Sequence, residues 1–349
     1  KIKKIKGMIN NGIPEKTAKT VWELFPPFAR YGFNRSHAVC YALIGYQTAY
    51  LKARWPIEFV TSLLNSDSGD IERITFLISE AKNMNVKVLP PDINKSFVDF
   101  APEEGNIRFG LLAIKNVGKN IVDAIIEERQ KSGPFKNFTE FLNRINHKDL
   151  NKKSLESLVK VGVFDSLGID RGILSLNIEE IISYFQNIRK SKNSSQNSLF
   201  GDNPYSNNFN FLKNNAKVPV KEKLGWERQL IGLYISGHPL DPHKNTLALN
   251  NVRSIKELTA NKNGNNGNGL KRIGGVISSL KKIMSKSGQI ILFVKIEDFT
   301  GFLETVVFSD TLSKNPAAWK ENNTVMIEGK LSWRNNEPKF VCEKVVELQ

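Results

Sequence analysis

The chain has 349 residues, too many for one ordinary core, and an apolar content of 40% excludes disorder throughout. Lysine and arginine number 50 against 35 acids, a net charge of +15 that favours a polyanionic partner. Two distant cysteines exclude a disulfide framework and a four-cysteine zinc site. The four scattered histidines show no HExxH spacing, so no protein-bound metal is assigned. Uninterrupted apolar runs fall short of the ~20 residues of a spanning helix, which favours nucleic acid over a membrane.

The start, "KIKKIKGMINNGI", is basic but lacks the apolar segment of a secretory signal. Its first residue is lysine, so the chain reads as a piece of something longer. Ser36 is the expected N-cap of a helix with Val39, Ala42, Leu43, Tyr46, Ala49, Tyr50 and Ala53 on one face. Pro56 ends that helix and opens the next, "PIEFVTSLLN". A third follows Asp70, with Ile74, Leu77, Ile78 and Ala81 on one side. "VKVLPPDI" reads as a short strand, and "SFVDFAPEEGNIRFGL" as a hairpin turning at Glu104, Gly105 and Asn106. From Leu111 to about Phe185 the pattern is helical. The Asn-, Ser- and Lys-rich stretch "NIRKSKNSSQNSLFGDNPYSNNFNFLKNNAK" reads as a flexible linker. "LGWERQLIGLYISGHPLDPH" is a short ordered segment, and "NKNGNNGNG" a hinge. Five strands then follow, with a helix between the third and fourth, the layout of an OB barrel.

Four stretches could carry chemistry. Lys115-Asn116-Val117-Gly118 runs into a helix starting near Lys119. A glycine there permits close backbone approach, and free N–H groups at a helix start favour an anion. This resembles a helix-hairpin-helix motif, which grips a DNA phosphate without reading sequence; the alternative is a plain tight turn. "LESLVKVGVFDSLG", with Gly162 at its turn, is a looser second copy lacking basic residues after the glycine. "QNSLF", Gln196 to Phe200, places two large apolar residues in a polar run, where they either enter a partner's pocket or dock on the chain itself. In the barrel, Lys281, Lys282, Lys286 and Phe293 could form a basic, aromatic surface for single-stranded nucleic acid. Against that, Phe293 and Phe299 are expected in the core. Finally, Tyr31, Asn34, Arg35, Ser36 and His37 sit where a loop enters a helix, which suits a phosphate group or a stacked base. No clustered acids mark a two-metal centre, and no GxxxxGK[ST] appears.

"FARYGFNRSHAVCYALIGYQTAYLKARWPIEFVTSLLNS" closely resembles the fingers segment of the bacterial replicative DNA polymerases of the polymerase III alpha subunit family. "VKVLPPDIN", "IRFGLLAIKNVGKNIVDAIIEERQ" and "SLVKVGVFDSLG" resemble the helix-hairpin-helix region that follows there. "LGWERQLIGLYISGHPLDP" resembles the segment ahead of that family's OB domain. The resemblance implies a multidomain α+β chain: residues 1–95 as the end of the fingers and 96–185 as a tandem helix-hairpin-helix region. A linker with a sliding-clamp peptide follows at 186–223, a connector at 224–262, and a five-stranded OB-type β-barrel at 270–349. It implies that Tyr31, Arg35 and His37 meet the incoming dNTP, with the tyrosines further along that helix mostly in the core. Lys115, Asn116, Gly118 and Lys119 would hold primer-template DNA, and Lys281, Lys282 and Lys286 the single-stranded template. Gln196, Leu199 and Phe200 would enter the sliding clamp. Proofreading and clamp-loader subunits are further partners in the family, the compartment is the cytoplasm, and magnesium is held by palm carboxylates. The PHP, palm, thumb and C-terminal domains are missing here, so this stretch alone is expected not to polymerise. The competing reading is a stand-alone DNA-binding adaptor that tethers a clamp without catalysis.

Overall fold

The computed structural model describes residues 7–30, 35–145, 147–193, 209, 211, 217–260, 269–285, 288–334 and 337–348. The chain forms two compact units, Lys1–Val60 and Thr61–Gln349.

The first unit holds α1 (Glu15–Arg30) and α2 (Arg35–Arg54), and α3 (Pro56–Ser66) begins in it. Two expectations change here. α2 starts at Arg35, so Ser36 lies in its first turn and is not its cap. No described residue of α2 is buried: Val39, Leu43, Tyr46 and Tyr50 are all exposed, so the tyrosines are not core. Tyr41, Ile44 and Leu51 add apolar surface to the other sides of the helix, and they are exposed too. A helix that is apolar all round is built to be buried, but a unit of this size supplies too little surface to bury it.

The second unit opens with α4 (Ile71–Asn83). Asp70 caps it, its carboxylate accepting from the Arg73 N–H at 3.1 Å, and Ile74, Leu77 and Ala81 are buried. A small sheet follows: β1 (Val88–Leu89), β2 (Ala101–Glu103) and β3 (Asn106–Arg108), ordered β1-β3-β2. β2 and β3 form the expected hairpin. Its two-residue turn has positive φ at Glu104 (47°) and Gly105 (81°), the conformation that matches strand twist. Arg108 locks the hairpin by pairing with Glu103 at 2.5 Å, which holds that carboxyl down at about 2.

Five helices come next: α5 (Lys119–Ser132), α6 (Phe138–Arg144), α7 (Lys152–Val161), α8 (Arg171–Leu176) and α9 (Ile178–Asn193). Their core is Ile121, Ile125, Phe138, Phe141, Leu155, Leu158 and Phe164, with the Phe138 and Phe164 rings edge-on at 4.9 Å. α9 extends to Asn193, inside the stretch read as linker. α10 (Val220–Ile231), α11 (Lys244–Leu249) and α12 (Ile255–Ala260) form the connector. A buried ion pair joins the helical region to it. Arg171 in α8 donates to Glu227 in α10 at 2.9 Å and to Asp165 at 2.7 Å. The second Glu227 oxygen accepts from the Ile235 and Ser236 N–H groups.

The barrel strands are β4 (Lys271–Met284), β5 (Ile290–Glu297), β6 (Phe302–Val307), β7 (Thr324–Arg334) and β8 (Glu337–Glu347). α13 (Ser309–Lys314) lies between β6 and β7 as expected. The barrel closes in the order β4-β5-β6-β8-β7, with β6 and β8 parallel and the other neighbours antiparallel. Its interior is filled by Ile273, Ile277, Leu292, Val294, Ile296, Leu303, Ile327 and Phe340. Strand alternation places Leu292, Val294 and Ile296 inside, so Phe293 faces outward and is half-buried. Phe299 is also outside the core. It is 38% exposed, with its ring 4.4 Å from that of His238 and under the Lys244 ammonium. The expectation that these two phenylalanines are core is therefore corrected.

Candidate nucleic-acid interface

The residues from Leu111 to Lys119 form a short, well-anchored turn. A single 3-10 turn, Leu111–Ala113, takes the place of a full first helix. Ile114 and Val117 are buried and pin the turn to the core. The Lys115 N–H donates to the Leu230 carbonyl at 3.0 Å, and Asn116 Nδ2 donates to Ser157 Oγ in α7 at 3.1 Å. Asn116 itself stands at φ 67°. The side-chain amide expected at DNA is thus engaged in fixing the turn.

Gly118 is the N-cap of α5 and offers no side-chain hydrogen bond to it. Its φ is −86°, open to any residue, and a Cβ added there would meet nothing within 4 Å. Neither backbone strain nor packing within the chain requires a glycine at this place. Lys115, Gly118 and Lys119 are all exposed. The result is a helix start with uncapped N–H groups, no side chain in the way, and two ammonium groups beside it. That arrangement can hold one anionic oxygen group.

The looser copy at Gly162 is built differently. Gly162 stands at φ 86° as the C-cap of α7, and an added Cβ would lie 2.2 Å from the Arg171 guanidinium. This glycine makes room for the buried arginine.

Of the other expected site residues, Arg35 and His37 lie in the first turn of α2, with the His37 ring 4.5 Å from that of Tyr41. Tyr31 lies outside the described residues, as do Gln196, Leu199, Phe200 and Lys286. Lys281 and Lys282 are exposed on the far part of β4, with Lys281 opposite Phe293 on β5.

Two features escaped sequence reading. The Lys295 ammonium sits 3.7 Å from the centroid of the Phe302 ring, which is 56% exposed. The period-two alternation of β5 was the available signal, since it fixes Lys295 on the same face as Phe293. Within the stretch read as linker, the Phe209 N–H donates to Thr139 Oγ1 at 3.3 Å. Its ring lies 5.2 Å from that of Tyr184 and 5.0 Å from that of Phe211. The alternating phenylalanines of "NFNFL" were the signal there.

His238 lies between Tyr234 and Phe299, and burial pushes its imidazole down to about 4. It is neutral at physiological pH and acts as a packing residue. Among the described residues no three His, Cys, Asp or Glu side chains converge as metal ligands, and no helix is long and apolar enough to cross a membrane.

A family model described as a helix-hairpin-helix motif matches residues 85–174, and one described as an OB-fold nucleic acid binding domain matches residues 271–348. The whole chain aligns with the DNA polymerase III subunit alpha of Borreliella burgdorferi at 36% identity over 355 residues, and with that of Campylobacter jejuni at 34% over 365 residues. In both cases it covers 30% of the relative. The Mycobacterium tuberculosis protein of the same name is 34% identical over 335 residues, covering 95% of this chain and 28% of that one. The chain thus spans about 30% of the length of the curated relatives it matches, at their C-terminal side. Over its whole length it is similar to the C-terminal part of the DNA polymerase III alpha subunits.

Proposed function

We propose that this chain is the DNA-gripping part of a template-directed DNA polymerase. The observation that carries the reading is the turn at Lys115–Lys119. Its glycine is dispensable for the fold, its helix start is uncapped, and two exposed lysines flank it. A duplex phosphate seated there would accept from backbone N–H groups while Lys115 and Lys119 each meet a neighbouring phosphate, contacts that position DNA without reading its sequence. The barrel would take the single-stranded template on the face that carries Lys281 and Phe293, with Lys282 exposed beside it at the far end of β4 and Lys286 nearby in sequence. The Lys295–Phe302 pair extends that face with a ring for base stacking.

In the whole enzyme the primer 3′ hydroxyl would attack the α-phosphorus of the incoming dNTP in line and release pyrophosphate, with magnesium ions, held by carboxylates outside this chain, supplying charge stabilisation to the attacking and leaving oxygens. Tyr31, Arg35 and His37 would face that nucleotide, and Gln196, Leu199 and Phe200 would tether the enzyme to a sliding clamp in the cytoplasm. The stretch by itself does not polymerise.

The test is duplex binding by the Lys115→Ala/Lys119→Ala variant. It should retain the parent melting temperature and lose affinity. Its slope of log affinity against log salt should be shallower by about two, roughly one for each phosphate contact removed. Parent-like affinity and slope would remove the hairpin from the interface.

A further inference from the structure

A second basic feature lies at the other end of β4. An open cavity of about 460 Å³ is lined there by Asn250, Asn251, Arg253, Lys271, Arg272 and Glu328, among others. That volume falls within the ~300–1,000 Å³ of ordinary ligand sites. The residues come from three places in the chain. Asn250, Asn251 and Arg253 follow α11, Lys271 and Arg272 open β4, and Glu328 lies on β7 opposite Arg272. The Arg253 N–H donates to the Arg272 carbonyl at 3.0 Å, which fixes the post-helix segment beside the strand.

The charges do not cancel. Glu328 is the one acid among these residues, and it is already engaged, by Arg272 at 2.7 Å and by Lys344 at 3.7 Å. The Arg272 hydrogen bond holds the Glu328 carboxyl below the usual carboxylate range, so it is ionised and committed. Arg272 also donates to the Asn250 carbonyl at 3.4 Å. The side chains of Arg253 and Lys271 have no ion-pair or hydrogen-bond partner among the described residues, and both line the same opening. The uncommitted Arg253 guanidinium beside the Lys271 ammonium, with Asn250 and Asn251 in the same lining, is donor chemistry for a phosphodiester oxygen. The cavity is too open and polar to enclose an apolar molecule.

We propose that this cavity binds the sugar-phosphate backbone of single-stranded DNA, as a second contact of the barrel. The proposal rests on the DNA-binding reading above. Lys271 and Lys281 are ten residues apart on one strand, at most about 33 Å. A strand of several nucleotides can therefore touch both ends of β4, within the ~4–16 nucleotides that one OB fold covers.

The experiment measures binding of a 16-nucleotide thymidine oligomer to the full chain over a salt series. The Arg253→Ala/Lys271→Ala variant should bind several-fold more weakly, with a slope shallower by about 1.4, since single strands release ~0.7 ion per phosphate. Glu328→Gln removes the one negative charge and should bind more tightly at low salt. Arg253→Lys/Lys271→Arg should restore binding, which separates lost charge from lost folding. If the parent binds the oligomer and neither the double variant nor Glu328→Gln changes its affinity, the cavity proposal is overturned while the DNA reading stands. If the parent fails to bind any oligomer, the DNA reading itself has failed. If the double variant loses a poly-glutamate probe and keeps the oligomer, the cavity serves an acidic peptide and the proposal is wrong.

Discussion

Two glycines forty-four positions apart show how one residue type serves opposite purposes. Gly118 has an ordinary φ of −86° and open space where a side chain would be. Gly162 has φ 86° and a guanidinium 2.2 Å from the place of its missing Cβ. Gly118→Ala should leave thermal stability nearly unchanged and weaken duplex binding. Gly162→Ala should destabilise by about 2 kcal/mol or more, through the left-handed backbone and the displaced arginine. Chemical denaturation of the two variants checks this pair, and equal stability losses would contradict it. The difference is only half legible in sequence. Two lysines around Gly118, just before an amphipathic helix, mark an anion site from local residues. The purpose of Gly162 depends on Arg171, nine residues later, and on tertiary packing that spacing does not encode.

At the scale of elements, alternation and helical period carry the fold where one face is buried. They place Ile74, Leu77 and Ala81 inward on α4, and they place the β2–β3 hairpin. They are ambiguous for α2, which is apolar all round, and the exposed tyrosines there follow from that. On β5 the parity is readable: Phe293 stands between the inward Leu292 and Val294 and so faces out, hydrophobic as it is. The joint between α8 and α10 lay beyond sequence reading, because Arg171 and Glu227 are 56 residues apart. Both are almost fully buried, so removing one leaves the other charge without compensation. Glu227→Ala should cost about 3–5 kcal/mol of stability, and also free the Ile235 and Ser236 N–H groups. A loss below about 1 kcal/mol in urea unfolding would show that the joint does not hold the two regions together.

For the whole molecule, the +15 charge, the helix-hairpin-helix region and the OB barrel point the same way. Charge and the five-strand layout with its intervening helix are legible in the sequence, and so is the family resemblance, because the matching blocks are long and occur in the same order. The basic cavity at the start of β4 is not, since it is assembled from residues near 250, 271 and 328. The central claim is that this chain holds DNA through its phosphates. The most direct test is the affinity of the full chain for a primer-template duplex across a series of salt concentrations. The account predicts a log–log slope of about −2 or steeper, from at least the two hairpin lysines at ~0.9 ion each. A slope near zero would contradict it.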